Sequence, residues 1–155
     1  MTSLKEGDKV PEFKSADQFG VTISSAGLSG KPYLLYFYPQ DDTPTCTIQA
    51  CNLRDHYSEL RKAGVNIIGI SPDHLDSHIK FSKKLSLPFS ILPDPKHILI
   101  DKFGVWGQKQ LYGKTYMGLH RTSFLVDAKG IIRKIFLKPN SKQHSEEILK
   151  ALKDL

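Results

Sequence analysis

Cysteine is almost missing from this chain. There are two in 155 residues, at positions 46 and 51, inside the stretch YPQDDTPTCTIQAC. Two cysteines cannot build the disulfide framework of a small secreted domain. They are also half of the four ligands that a structural zinc site takes, and none of the histidines His56, His74, His78, His97, His120 and His144 pairs with them to complete a set. His74 and His78 stand four apart and are expected on a solvated helix face. C-x-x-C is missing too, and with it the zinc knuckle and the W-C-x-x-C turn of a disulfide reductase or isomerase. Long apolar runs are absent: none approaches the roughly 18–20 residues that span a membrane. The opening MTSLKEGDKVPEF has no apolar h-region and no small-residue cleavage site. The expected location is the cytoplasm, where thiols stay reduced, with no membrane partner. There is no internal repeat, low-complexity tract or linker, so one domain over 1–155 is expected.

The charge is one-sided, at a net +6, with 39% hydrophobic and 25% charged residues. A basic balance raises nucleic acid as a partner. The cations, however, are scattered over Lys83, Lys84, Lys129, Arg133, Lys134, Lys138 and Lys142, and no basic run or nucleic-acid signature forms. A solvated surface is expected rather than a nucleic-acid face.

The chain does contain alternating strand and helix signals. FKSADQFGVTISSAGLSGK, broken by Gly20 and Gly30, suggests a hairpin. YLLYFYP is a continuous apolar run, as in a strand buried on both faces. After the polar turn QDDTP, Thr43 can cap a helix with Pro44 at its first position. That helix is expected to carry Ile48, Cys51, Asn52, Asp55, Tyr57 and Leu60 and to stop at Gly64. VNIIGIS reads as a second buried strand, residues 74–85 as a helix, FSIL as a short strand and residues 95–103 as a short helix. TSFLVD and IIRKIFL read as a hairpin, and residues 143–155 as an amphipathic helix. Trp106 is expected to anchor packing. Tyr112, Tyr116 and Met117 suit either a loop packed on the core or a surface for substrate or reductant. The whole is an α/β domain with a mixed sheet.

Cys46 falls about two residues inside a helix N-terminus, where free N–H groups and the macrodipole favour an anion. A free thiol is only about 3% thiolate at pH 7. Making such a thiol mostly thiolate takes roughly 3.4 kcal/mol. A helix end supplies about 0.3–1 kcal/mol, and up to about 2. The remainder asks for a cation from elsewhere in the chain. Asp41 and Asp42 would oppose a thiolate and are expected to face solvent. The alternative for either cysteine is a small buried hydrophobe, within a non-enzymatic basic binding module. In a straight helix, residues 46 and 51 stand about 140° apart around the axis, with Cα atoms about 8–9 Å apart. A disulfide tolerates about 7 Å. The two thiols can bond only if the first turns unwind.

These residues resemble a known family. PQDDTPTC fits the P-x-x-x-[T/S]-x-x-C signature of peroxiredoxins, with Pro39, Thr43 and Cys46 in register. YFYPQDDTPTCTIQACNLRD and FGVWGQKQLYGKTYMGLHRTSFLVD both resemble the Q-type subfamily, also called bacterioferritin comigratory protein, and the likeness runs from EGDKVPEF to the C-terminal helix. The resemblance implies a thioredoxin-like fold, a central mixed sheet flanked by helices with an N-terminal hairpin, and a thiol peroxidase that needs no cofactor or metal. It implies Cys46 as the peroxidatic nucleophile, Arg121 of HRTSF as the missing cation, and Thr43 as a hydrogen-bond partner of thiolate and peroxide. It further implies Pro39 as a shield against water, Cys51 as the resolving thiol, a hydroperoxide substrate and thioredoxin as reductant, with the protein a monomer. One position departs: the subfamily often has Gly before the first cysteine, and here it is Thr45.

Overall fold

The computed structural model of the chain describes residues 2–155. Its elements are β1 (Lys14–Ala16), β2 (Thr22–Ser24), α1 (Ser25–Leu28), β3 (Tyr33–Phe37), α2 (Pro44–Asp55), α3 (Tyr57–Lys62), β4 (Asn66–Ser71) and α4 (Leu75–Leu85), then β5 (Ser90–Pro93), α5 (Ile98–Phe103), β6 (Trp106–Leu111), β7 (Lys114–Leu119), β8 (Thr122–Val126), β9 (Ile132–Phe136) and α6 (His144–Leu152). The central sheet has five strands in the order β5-β4-β3-β8-β9. β3, β4 and β5 run parallel, β8 is antiparallel to β3, and β9 is antiparallel to β8.

The apolar run explains why β3 is central: every one of its residues is buried. Successive side chains leave a strand on opposite faces. Leu35 and Phe37 therefore pack with Leu99, Ile100 and Phe103 of α5 and with Phe124. Leu34 and Tyr36 face the other way, toward Ala50 and Leu53 of α2, Leu60 of α3, Phe81 of α4 and Ile148 of α6. Helices thus flank both faces, and the N-terminal hairpin β1–β2 stands apart as its own two-stranded sheet. This is the expected thioredoxin-like architecture. Cys46 lies in the second of the two core layers. No helix among the described residues is long and apolar enough to cross a membrane.

Two local expectations need correction. The single helix expected from Pro44 to Gly64 is broken at His56, and its phase is different. The buried face of α2 carries Cys46, Gln49, Ala50 and Leu53, while Ile48 is 41% exposed. The stop itself is as expected: Gly64 has φ 89°, and Gly64 N–H and Val65 N–H donate back to the Arg61 and Leu60 carbonyls at 3.0 and 3.1 Å. Residues 106–119 form the hairpin β6–β7, on which Tyr112, Tyr116 and Met117 are exposed rather than packed on the core. Trp106 at its base does anchor packing, half-buried against the core and 4.5 Å from the His97 ring.

Candidate active site

α2 begins as the sequence suggests. Thr43 is the extended residue at its start and Pro44 occupies the first helical position. The Thr43 hydroxyl does not cap the helix; it donates to the Gln40 carbonyl at 3.0 Å. Thr47 N–H closes the first turn on the Thr43 carbonyl at 2.9 Å. Cys46 is the third helical residue, so it lies among the first-turn amides that have no helical acceptor. Its side chain points into the core, 2% exposed. Pro39 is half-buried between β3 and this turn.

Arg121 reaches the same point from the junction of β7 and β8. Its Nη2 donates to Cys46 Sγ at 3.3 Å, and its Nη1 donates to Gln49 Oε1 at 2.6 Å. The planar guanidinium fork holds both partners at once. The backbone carrying Arg121 is fixed on either side. His120 N–H donates to the Val105 carbonyl at 2.7 Å, His120 Nε2 donates to the Gln108 carbonyl at 2.9 Å, and the Thr122 hydroxyl donates to the His120 carbonyl at 2.8 Å. His120, for which the sequence offered no role, pins the strand end that presents Arg121.

Two further residues belong to this cluster and were not foreseen. Gln49 is fully buried, and its Nε2 has no partner among the described residues. Its spacing of three from Cys46 on one helix face is the signal that could have found it. Tyr36 is buried, its hydroxyl has no such partner either, and burial followed by the charge of Cys46 pushes its acidity well below that of an ordinary phenol. Lys109 of β6 lies nearby. Its Nζ donates to the Leu119 carbonyl at 2.9 Å. Burial and the Arg121 charge lower its pKa, while Cys46 acts in the opposite sense.

The turn before α2 is anchored by a polar cluster that overturns two expectations. Asp41 does not face solvent. It is buried, accepts from Tyr38 Oη at 2.6 Å and from Ser77 Oγ at 2.8 Å, and lies 3.6 Å from His78 Nε2. His78 is not on a solvated face; it is fully buried, with Nε2 2.7 Å from Ser71 Oγ. Asp73 Oδ2 accepts from Ser71 Oγ at 2.8 Å and from Asp41 N–H at 2.7 Å. Burial raises the Asp41 pKa to about 6, although the hydrogen bonds from Tyr38 and Ser77 oppose this. Burial lowers that of His78 to about 4, so the imidazole is neutral. Asp41, Asp73 and His78 lie close enough to hold an ion, but hydrogen bonds within the protein already engage their facing atoms. Asp42 is exposed as expected, 2.7 Å from Lys84 Nζ.

Cys51 is not brought to Cys46. Both are free, and α2 runs unbroken through them. Cys51 is half-buried. The next residue, Asn52, ties α2 to the start of α6: its Nδ2 donates to the Lys142 carbonyl at 2.9 Å, and its Oδ1 accepts from Ser145 N–H at 2.8 Å.

Residues 6–135 match the profile of the AhpC/TSA family. The chain is 44% identical over 154 residues to peroxiredoxin Bcp of Escherichia coli K12, with 99% of each chain covered. It superposes on the peroxidoxin BcpB structure from Mycobacterium tuberculosis with a TM-score of 0.85 at 30% identity, covering 98% of both chains. It is also similar to a Xanthomonas campestris bacterioferritin comigratory protein studied for its alkyl peroxide reduction activity, with a TM-score of 0.87 at 28% identity over 99% of this chain and 98% of that one. Full-length similarity of this kind sets aside both the disulfide isomerase and the basic binding module. The chain belongs to the AhpC/TSA family of peroxiredoxins and, with its Bcp relatives, is a thiol peroxidase.

Proposed function

We propose that Cys46 reduces hydrogen peroxide and organic hydroperoxides, that Cys51 resolves the product, and that thioredoxin restores both thiols. The observation that carries this reading is the 3.3 Å contact from Arg121 Nη2 to a sulfur at the third position of a helix. The cation and the first-turn amides face the same sulfur, and each favours negative charge there. Burial of the sulfur keeps bulk water away, and the half-buried Pro39 completes that shield. Alkyl peroxide reduction by the Xanthomonas relative supports including organic hydroperoxides.

The Cys46 thiolate attacks one oxygen of the O–O bond. That bond breaks, Cys46 becomes a sulfenic acid, and the other oxygen leaves as water or an alcohol after taking a proton. Charge builds on the departing oxygen, where Arg121 and the amide N–H groups are already oriented. The Thr43 hydroxyl is engaged by Gln40 in the reduced state; it serves the peroxide by rotating away from that carbonyl. The first turns of α2 then unwind. The Cys51 thiol displaces hydroxide from the Cys46 sulfenic sulfur, giving a disulfide and water. A dithiol protein reduces this disulfide by exchange and is itself oxidised.

Hydrogen peroxide added with thioredoxin, thioredoxin reductase and NADPH is expected to consume NADPH. Cys46→Ser should abolish this consumption. Cys51→Ser should halt after one turnover with a sulfenic acid at Cys46, read by mass spectrometry. Full turnover by Cys46→Ser would refute the assignment.

A further inference from the structure

The hairpin β6–β7 has costs that the fold does not repay. Tyr112 at its tip is 96% exposed, and Leu111, Tyr116 and Met117 are 55%, 44% and 59% exposed. Tyr112 also has φ 51° and is followed by Gly113 at φ 76°. That is the type I′ turn, in which Asn-Gly is the favoured pair. An aromatic residue in the left-handed region is strained. The strain and the exposure fall on the same residue, and neither serves packing.

The hairpin has two faces. Cross-strand partners share a face, so Lys109 and Tyr116, and Leu111 and Lys114, line one side. Met117 lies on the other side, opposite Gln108. On the first side, Lys109 Nζ donates to the Leu119 carbonyl at 2.9 Å, two residues before the Arg121 that contacts Cys46, so this side runs to the strand end that presents Arg121. Charge is one-sided as well. Between Asp101 and Asp127 the chain has no acidic residue, but it has Lys102, Lys109, Lys114 and Arg121. A second copy of the same face would meet cations with cations.

We propose that the face of Leu111, Tyr112, Lys114 and Tyr116 docks the dithiol protein that reduces the oxidised enzyme, a partner with an apolar patch around its thiols and an acidic rim. This rests on the peroxidase reading above. Exposed apolar and aromatic residues flanked by lysines match the composition of a protein interface. A small reductant needs none of it.

The test compares two reductants on the full-length protein with hydrogen peroxide. Tyr112→Asn installs the favoured turn residue and removes the aromatic side chain, so the fold is kept. Lys114→Glu reverses a rim charge. With dithiothreitol as reductant, both variants are expected to turn over at the wild-type rate. With thioredoxin, its reductase and NADPH, KM for thioredoxin should rise about tenfold for Tyr112→Asn, as for loss of an interface anchor. Lys114→Glu should raise it less, and its effect should fade at high salt. An unchanged KM in both variants overturns the proposal. So does equal loss with dithiothreitol, or a wild-type dimer that Tyr112→Asn converts to monomer. Absence of turnover by the wild type with either reductant would instead overturn the peroxidase reading.

Discussion

The two halves of α2 are held in opposite ways. From Pro44 to Cys51 the helix buries Cys46, Gln49 and Ala50 but is loose at its outer side: its start has no side-chain cap, Pro44 and Thr45 are exposed, and Ile48 is 41% exposed. Its side-chain hydrogen bonds to the sheet come from Arg121, at the entry to β8, through Cys46 and Gln49. From Asn52 onward the helix is fastened. Asn52 bonds twice to the α6 entry, Leu53 is fully buried, and Arg54 Nη1 donates to the Leu85 carbonyl at 2.9 Å. Local opening follows the weakest contacts. The boundary between the halves falls between Cys51 and Asn52, so both thiols sit in the half that we propose opens on oxidation. C-x4-C is then the spacing that places the second thiol just before the fastening.

Arg121→Ala should have the largest effect. It removes the cation at Cys46 and leaves Gln49 Oε1 buried without a donor. The peroxide step is expected to slow about 10²–10³-fold, as for loss of one preorganised donor. Arg121→Lys should recover little, because an ammonium lacks the fork that reaches two partners. Stopped-flow peroxide reduction measures both. A mild loss would mean that the helix end alone sustains the thiolate.

Asn52→Ala should make the second half resemble the first. Two hydrogen bonds between α2 and α6 disappear, at a cost of about 1–3 kcal/mol in denaturant unfolding. More tellingly, opening on oxidation should spread past residue 52, exposing Leu53. If the open segment keeps its wild-type length, Asn52 does not set the boundary.

Asp41→Asn should have a smaller effect, visible as a pH slope. The folded Asp41 binds its proton more tightly than the unfolded residue, with a pKa of about 6 against 3.8. Its contribution to stability is therefore present at low pH and falls as pH rises from about 4 to 6. His78 acts the other way. Its pKa of about 4 lies below the ordinary 6.5, so its contribution grows as pH rises through the same window and on to 6.5. In the wild type the two slopes offset each other. In Asp41→Asn only the rising slope of His78 remains, so the melting temperature should climb more steeply with pH from 4 to 6.5 than in the wild type. Parallel curves would show that Asp41 is not buried as charge in the anchoring turn.

The sequence made some of this legible because the physics is local. A continuous apolar run such as YLLYF has few alternatives to a doubly covered strand. Thr43-Pro44 marks a helix start on its own. The energetics of a helix end ask only for a cation from elsewhere in the chain; that it is Arg121 is legible through the resemblance of HRTSF to the family, not through the energetics. Other features were hidden because they depend on distant partners. Asp41 and His78 look like surface residues until Tyr38, Ser71 and Ser77 close around them. The hairpin 106–119 has mostly exposed strands, so it shows no alternation to read. The phase of α2 was misjudged because a polar residue, Gln49, lies inside while Ile48 lies outside.

The most direct test of the divided helix is amide hydrogen exchange on the reduced protein and on the protein oxidised with one equivalent of hydrogen peroxide. The expected result is that amides of residues 43–51 lose protection on oxidation, while those of 52–55 keep it. Equal protection of 43–51 in both states, or loss extending through Asp55, would contradict a helix that opens only in its first half.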